Sequence, residues 1–178
     1  MARKDKQRVS LTTPAIAEPP VFPAAQPGLS AADLSALARS FWAKSGDSGS
    51  WLSVVQHLMD AADVAGLLFD DYLSEHHRRL MASVWGGDRA KARASFVFLA
   101  GVHDAGKVSP QFACQRQDLA QLIRSTGLVV MRKADYAERS FLPHGLVSQF
   151  ALQEEIAVGG GDGSRALQWA IVLGVHHG

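Results

Sequence analysis

Apolar residues recur at every third or fourth position between Trp51 and Leu73, at Leu52, Val55, Met59, Ala62, Ala65 and Phe69. That period lines one face of a helix and does not suit the strict alternation of a half-buried strand. Helix punctuation recurs along the rest of the chain. Ser30-Ala31-Ala32-Asp33 reads as a capping box with Asp in place of Glu, opening a helix to about Ala43. Lys44 to Ser50 is a polar, Gly/Ser-rich break, after which the long segment to Leu73 carries His57. Asp88 caps a helix through Ala90 to Val102, and Pro110 at a first helical turn opens a segment to about Ser125. Pro143 precedes a helix carrying His144, and Ser164 to His177 forms the last. The expected fold is all-α, a helical bundle. A small hairpin near Leu128 stays open, since short apolar runs such as Leu128 to Met131 do not distinguish strand from helix.

At 178 residues the chain is long enough for one domain with a substantial core, and 47% hydrophobic and 20% charged residues are ordinary for a globular protein. Five of the seven prolines fall between Pro14 and Pro27, so residues 1–28 read as a disordered Pro-rich leader and 29–178 as the domain. Arg3, Lys4, Lys6 and Arg8 read as a solvated tail rather than a nucleic-acid tether. A formal net charge of +1 gives no reason for the whole surface to bind a polyanion, though a local basic patch remains compatible with it. With Cys114 as the sole cysteine there is no intramolecular disulfide, and no apolar run approaches the roughly 20 residues of a membrane span. A cytoplasmic location is expected.

Imidazoles punctuate this frame at His57, His103, His144 and the doublet His176-His177, with Asp104 directly after His103. Imidazole and carboxylate together favour divalent transition metals, and a carboxylate can bridge two ions, which makes a hydrolase candidate. Consecutive residues on a helix point about 100° apart, so a His-Asp pair converges only where the backbone turns. His103-Asp104 ends an apolar segment beside Gly106, and His176-His177 ends one beside Gly178. Two ions roughly 3.5 to 4 Å apart can hold a scissile phosphate, and Lys107 could set positive charge against its oxygens.

Other readings compete for these residues. A lone histidine such as His57 or His144 is more often a hydrogen-bonded, partly buried side chain than a ligand. His76-His77, followed by Arg78 and Arg79, reads as a solvent-facing doublet with no metal role. Gly101 to Lys107 has the glycine and lysine spacing of a phosphate-binding loop, but Val108 stands where a Ser or Thr hydroxyl would hold magnesium.

Taken together, Gln56-His57-Leu58 after a tryptophan, Leu99-Ala100-Gly101-Val102-His103-Asp104-Ala105-Gly106-Lys107 followed by Pro110-Gln111-Phe112, Pro143-His144-Gly145, and Val175-His176-His177-Gly178 resemble one family. It is the HD nuclease domain of the type I CRISPR-associated nuclease-helicases, within the HD superfamily of metal-dependent phosphohydrolases. The likeness covers about Trp51 to Gly178. It implies an HD-type helical bundle with a metal site between helices. It implies a nuclease on single-stranded DNA, recruited by an RNA-guided surveillance complex and fed by helicase domains of the same full-length chain. It also implies two divalent transition ions, iron, manganese, cobalt or nickel. His57, His103 and Asp104 would hold one of them, with Asp104 bridging to a second held by His144, His176 and His177. Asp104 and Lys107 would be the catalytic pair, Lys107 as the phosphate contact. The family completes its first ion site with an aspartate well beyond the doublet, so the chain is expected to be a carboxyl-terminally truncated piece, weakly active or inactive alone. The alternatives are an HD-type nucleotide phosphohydrolase and a non-catalytic interaction module.

Overall fold

The computed structural model describes residues 34–47, 49–136, 142–160 and 162–175. The leader at 1–28, the capping Ser30 and the doublet His176-His177 lie outside them. Helices dominate, as expected.

Helix α1 (Ala36–Ser40) is capped by Ser35, whose hydroxyl accepts from the Ala38 amide at 3.2 Å. It stops short of the expected end at Ala43, because Phe41 turns extended and β1 (Trp42–Ser45) pairs antiparallel with β2 (Trp51–Ser53). The hairpin therefore closes over residues 46–50 instead of near Leu128, where the described chain forms no strand. Its register explains why a helix lost here. Trp42 faces Ser53 and Lys44 faces Leu52, so Ala43 is a bulged extra residue, and Phe41, Trp42 and Ala43 are all buried in succession. The Trp42 indole donates to the Ala113 carbonyl at 3.3 Å and its ring lies 4.4 Å from that of Phe112. This packing outweighs local helix propensity.

Helix α2 (Val54–Leu67) begins three residues later than its apolar period suggests, where the Ser53 hydroxyl accepts from the Gln56 amide at 3.1 Å. It runs on into a π-helical turn at Leu68–Tyr72. Helix α3 (Glu75–Ser83) follows, then α4 (Arg89–Val102), capped by Asp88 as expected through a bond from the Lys91 amide at 3.0 Å. A 3-10 turn (Ala105–Lys107) leads to α5 (Pro110–Ala113) and α6 (Gln117–Arg124). The single helix expected from Pro110 to Ser125 is thus broken. Arg116 is extended at the break, and the Gln117 side chain donates to the Cys114 carbonyl at 2.9 Å. Helices α7 (His144–Val158) and α8 (Gly163–Gly174) close the described chain and pack against each other.

Three apolar clusters hold these elements. Phe41, Val54, Cys114 and Ile123 join the hairpin to α2, α5 and α6; Phe69, Ala82 and Ala92 join α2 to α3 and α4; and Leu152, Ala170 and Leu173 join α7 and α8 to the end of α4. Small residues let α2 and α4 cross closely: a Cβ on Gly101 would sit 3.3 Å from the Ala62 methyl. Among the described residues, no helix is long and apolar enough to cross a membrane.

Candidate metal centre

The crossing of α2 and α4 brings His57, in the first turns of α2, beside the end of α4. There the helix stops. His103 keeps helical dihedrals, but Asp104 leaves them at φ −107°, ψ 16°, and that one step lets two consecutive side chains converge. His103 Nε2 lies 3.3 Å from Asp104 Oδ2, and His57 Nε2 lies 2.9 Å from the same oxygen. Ligand atoms of His57, His103 and Asp104 all fall within 4.8 Å of one another.

Glycine does not make this turn, contrary to the expectation at Gly106, which has no positive φ. Its service is closeness. A Cβ there would fall on the His144 carbonyl oxygen and within 2.6 Å of the Ser148 nitrogen, so only glycine lets the 3-10 turn lie flat on α7. The contact is fastened by buried Ser148, whose hydroxyl accepts from the Gly106 amide at 2.8 Å and lies 3.1 Å from the His144 carbonyl. It sets the first residue of α7 against the turn, so that His144 Nε2 comes within 3.1 Å of Asp104 Oδ1. The carboxylate thus has two histidines on one oxygen and a third on the other.

Lys107 completes the cluster. It is 7% exposed, and its ammonium donates to Asp104 Oδ2 at 2.7 Å and to the carbonyl of the bulged Ala43 at 3.3 Å. It also stands 5.5 Å over the Phe112 ring, which meets the His144 ring edge-on at 5.5 Å. The segment does not form a phosphate-binding loop: residues 96–100 are helical and the lysine is turned onto the aspartate.

Asp104 is 2% exposed. Burial alone would raise its carboxyl, but hydrogen bonds from Lys107 and His57, with the charges of Lys107 and His103, hold it well below the usual carboxylate range. Burial likewise pushes His57 below the ordinary imidazole value, against the opposing pull of Asp104. The His103 Nδ1 lies 2.7 Å from the Ala100 carbonyl oxygen, which it can meet only as a donor. As a ligand, with its proton on Nδ1, His103 would turn its Nε2 lone pair toward Asp104 Oδ2. Two acceptors facing each other suit a shared cation, and an imidazole anchored through its other nitrogen to a backbone carbonyl is the usual setting of a metal ligand. The residues therefore fit a divalent ion at His57, His103 and Asp104.

Of the residues singled out in the sequence, His57, His103, Asp104, Lys107 and His144 come together. His176 and His177 lie outside the described residues, though Gly174, two positions before the doublet, packs against Gln149 of α7. Sequence reasoning missed Ser148, the Ala43 carbonyl and the part played by Phe112. Ser148 left a faint signal as a serine one turn after His144, on the same helical face.

Comparison with known proteins points the same way. The family described as "Cas3, HD domain" matches residues 42–178. A CRISPR-associated nuclease/helicase Cas3 from Streptococcus thermophilus is 29% identical over 158 residues, covering 78% of the chain and 16% of that protein. A CRISPR-associated endonuclease/helicase Cas3 from Thermus thermophilus is 30% identical over 141 residues, covering 79% of the chain and 14% of that protein. The chain thus spans about one sixth or less of the length of these relatives. No solved structure matches it significantly.

Proposed function

The chain belongs to the Cas3 HD-domain family, and from that premise we propose that it is a metal-dependent nuclease domain that hydrolyses phosphodiester bonds of single-stranded DNA in CRISPR defence. The observation that carries this reading is Asp104, a buried carboxylate with His57 and His103 on one oxygen and His144 on the other. His57, His103 and Asp104 would hold one divalent ion, and His144, His176 and His177 would share a second with Asp104. Iron, manganese, cobalt and nickel all suit such a donor set. When bound, such ions lower the pKa of the attacking water and offset charge on the phosphate oxygens.

The chain's own residues prepare the site. Lys107 and His57 keep Asp104 ionised, and the Ala100 carbonyl orients His103 so that Nε2 faces inward. Burial favours the neutral form of His57, which a ligand needs. Access lies on the histidine side: the His103 and His144 side chains are 26% and 22% exposed, whereas the Asp104 side chain is 3% exposed. A phosphodiester entering there meets the histidine edges first and leaves the aspartate dry. The relatives' names fit a protein in which helicase domains feed a displaced single strand to this site. Recruitment by an RNA-guided surveillance complex in the cytoplasm belongs to the same proposal.

Incubation of single-stranded DNA with the chain and manganese, with and without a chelator, tests it. Degradation should stop on chelation and resume when manganese is restored. Equal degradation in the chelated sample would sink the metal-dependent mechanism.

A further inference from the structure

We propose that Lys107 is an internal counter-cation, a positioning residue that holds the Asp104 carboxylate and sets how tightly the site takes a divalent ion. The proposal rests on the metal-centre reading above and deepens it.

A lysine that contacts substrate phosphate must carry its ammonium to an open face. Lys107 does the reverse. Its ammonium donates to Asp104 Oδ2 at 2.7 Å and to the Ala43 carbonyl at 3.3 Å, stands 5.5 Å from the centre of the Phe112 ring, and the residue is 7% exposed. The Ala43 contact depends on the β-bulge, which takes that residue out of the ladder register and turns it inward with Trp42. The hairpin that replaced the expected end of α1 thus supplies one wall of the lysine's cage. Asp104 Oδ2 is also the oxygen that His57 and His103 face, so the ammonium occupies the very atom that a cation in this cluster needs.

Two consequences oppose each other. Without a metal, the ammonium compensates a carboxylate that would otherwise be a buried, partly unpaired charge. With a divalent ion, the same ammonium is a like charge beside a shared ligand and weakens binding. Lys107→Met keeps the apolar stem and removes the charge, so it should change the two states in opposite directions. A lysine that served only as scaffold would loosen the site and weaken both.

The test compares the full 178-residue chain with its Lys107→Met variant at pH 8, by thermal unfolding of the metal-free proteins and by titration with manganese alone. The variant should melt about 10 °C lower without metal and bind manganese at least about tenfold tighter. The double variant Asp104→Asn/Lys107→Met, which removes both charges, should recover much of the lost melting temperature. An unchanged metal-free melting temperature, or manganese affinity that is equal or weaker, would overturn the proposal while leaving the metal centre standing. A wild-type chain that takes up no manganese would overturn both. If Lys107→Met does not fold, the double variant decides: a cooperative melt supports the counter-cation, and failure to fold overturns it.

Discussion

Among the described residues, two adjacent pairs that contain histidine sit at helix ends, His76-His77 opening α3 and His103-Asp104 closing α4. At α3 both imidazoles come from one element, lie exposed, and have ring centroids 5.8 Å apart. His77 Nδ1 is 2.9 Å from the Ser74 hydroxyl, and the carboxylate of Glu75, the residue preceding the pair in the chain, pairs with Arg89, Arg78 and Arg79. At α4 the acidic partner is buried, and the imidazoles around it arrive from three elements, α2, the end of α4 and the start of α7. The lesson is that adjacency of histidines counts for little. Convergence of separate elements on one dry carboxylate makes the site, and in this fold Gly101 and Gly106 permit the close crossings that produce it.

The largest effect is expected at the carboxylate. Asp104→Asn should lower manganese affinity and DNA cleavage by more than about a hundredfold, since even residues that only support a ligand typically cost 10- to 100-fold. His76→Ala/His77→Ala should leave both unchanged, as read by manganese titration and a single-strand cleavage assay. Similar losses in the two variants would erase the distinction drawn between the sites.

Next in size comes the crossing itself. Gly106→Ala places a methyl on the backbone of α7, which the 3-10 turn can avoid only by lifting away. A destabilisation of about 2 to 4 kcal/mol is expected in urea unfolding, with a matching loss of manganese uptake. Retention of wild-type stability would mean that the turn and α7 are less tightly joined than described.

The smallest effect is a pH dependence. His57 has its value lowered in the folded chain, so between that value and the unfolded value near 6.5 the unfolded state binds more protons. Stability is therefore full above about pH 6.5 and declines as pH falls through that window. Asp104, lowered from 3.8, continues the decline with the same sign in more acidic solution. The urea midpoint of the metal-free chain should be lower at pH 5 than at pH 8, and His57→Gln should flatten the part between pH 6.5 and 5. A midpoint that rises on acidification would contradict the assigned direction.

Much of this was legible in the sequence, for reasons that differ by residue. Asp88 announced the start of α4 because capping is a local matter between a side chain and an amide three residues on. His57, His103, Asp104 and His144 stood out because imidazole and carboxylate recur along the chain in an order the family likeness groups, and the fold brings these four together. Illegible were features in which one segment overrules another. Nothing between Phe41 and Ser45 signals a bulged strand, since its cause is the packing of Trp42 on Ala113 and Phe112, some 70 residues away. Gly106 looked like a turn glycine because sequence shows a missing side chain without showing what fills its place.

By itself, then, the sequence determined the helical class and the start of α4, and it offered a series of imidazoles and a carboxylate of metal-binding chemistry, since periodicity, capping and donor type are properties of short stretches of chain. The tertiary structure alone decided that Asp104 is dry, that its oxygens face different histidines, and that Lys107 is spent on it. Those outcomes depend on how closely α2, α4 and α7 approach. Only the folded packing of distant small residues settles such distances.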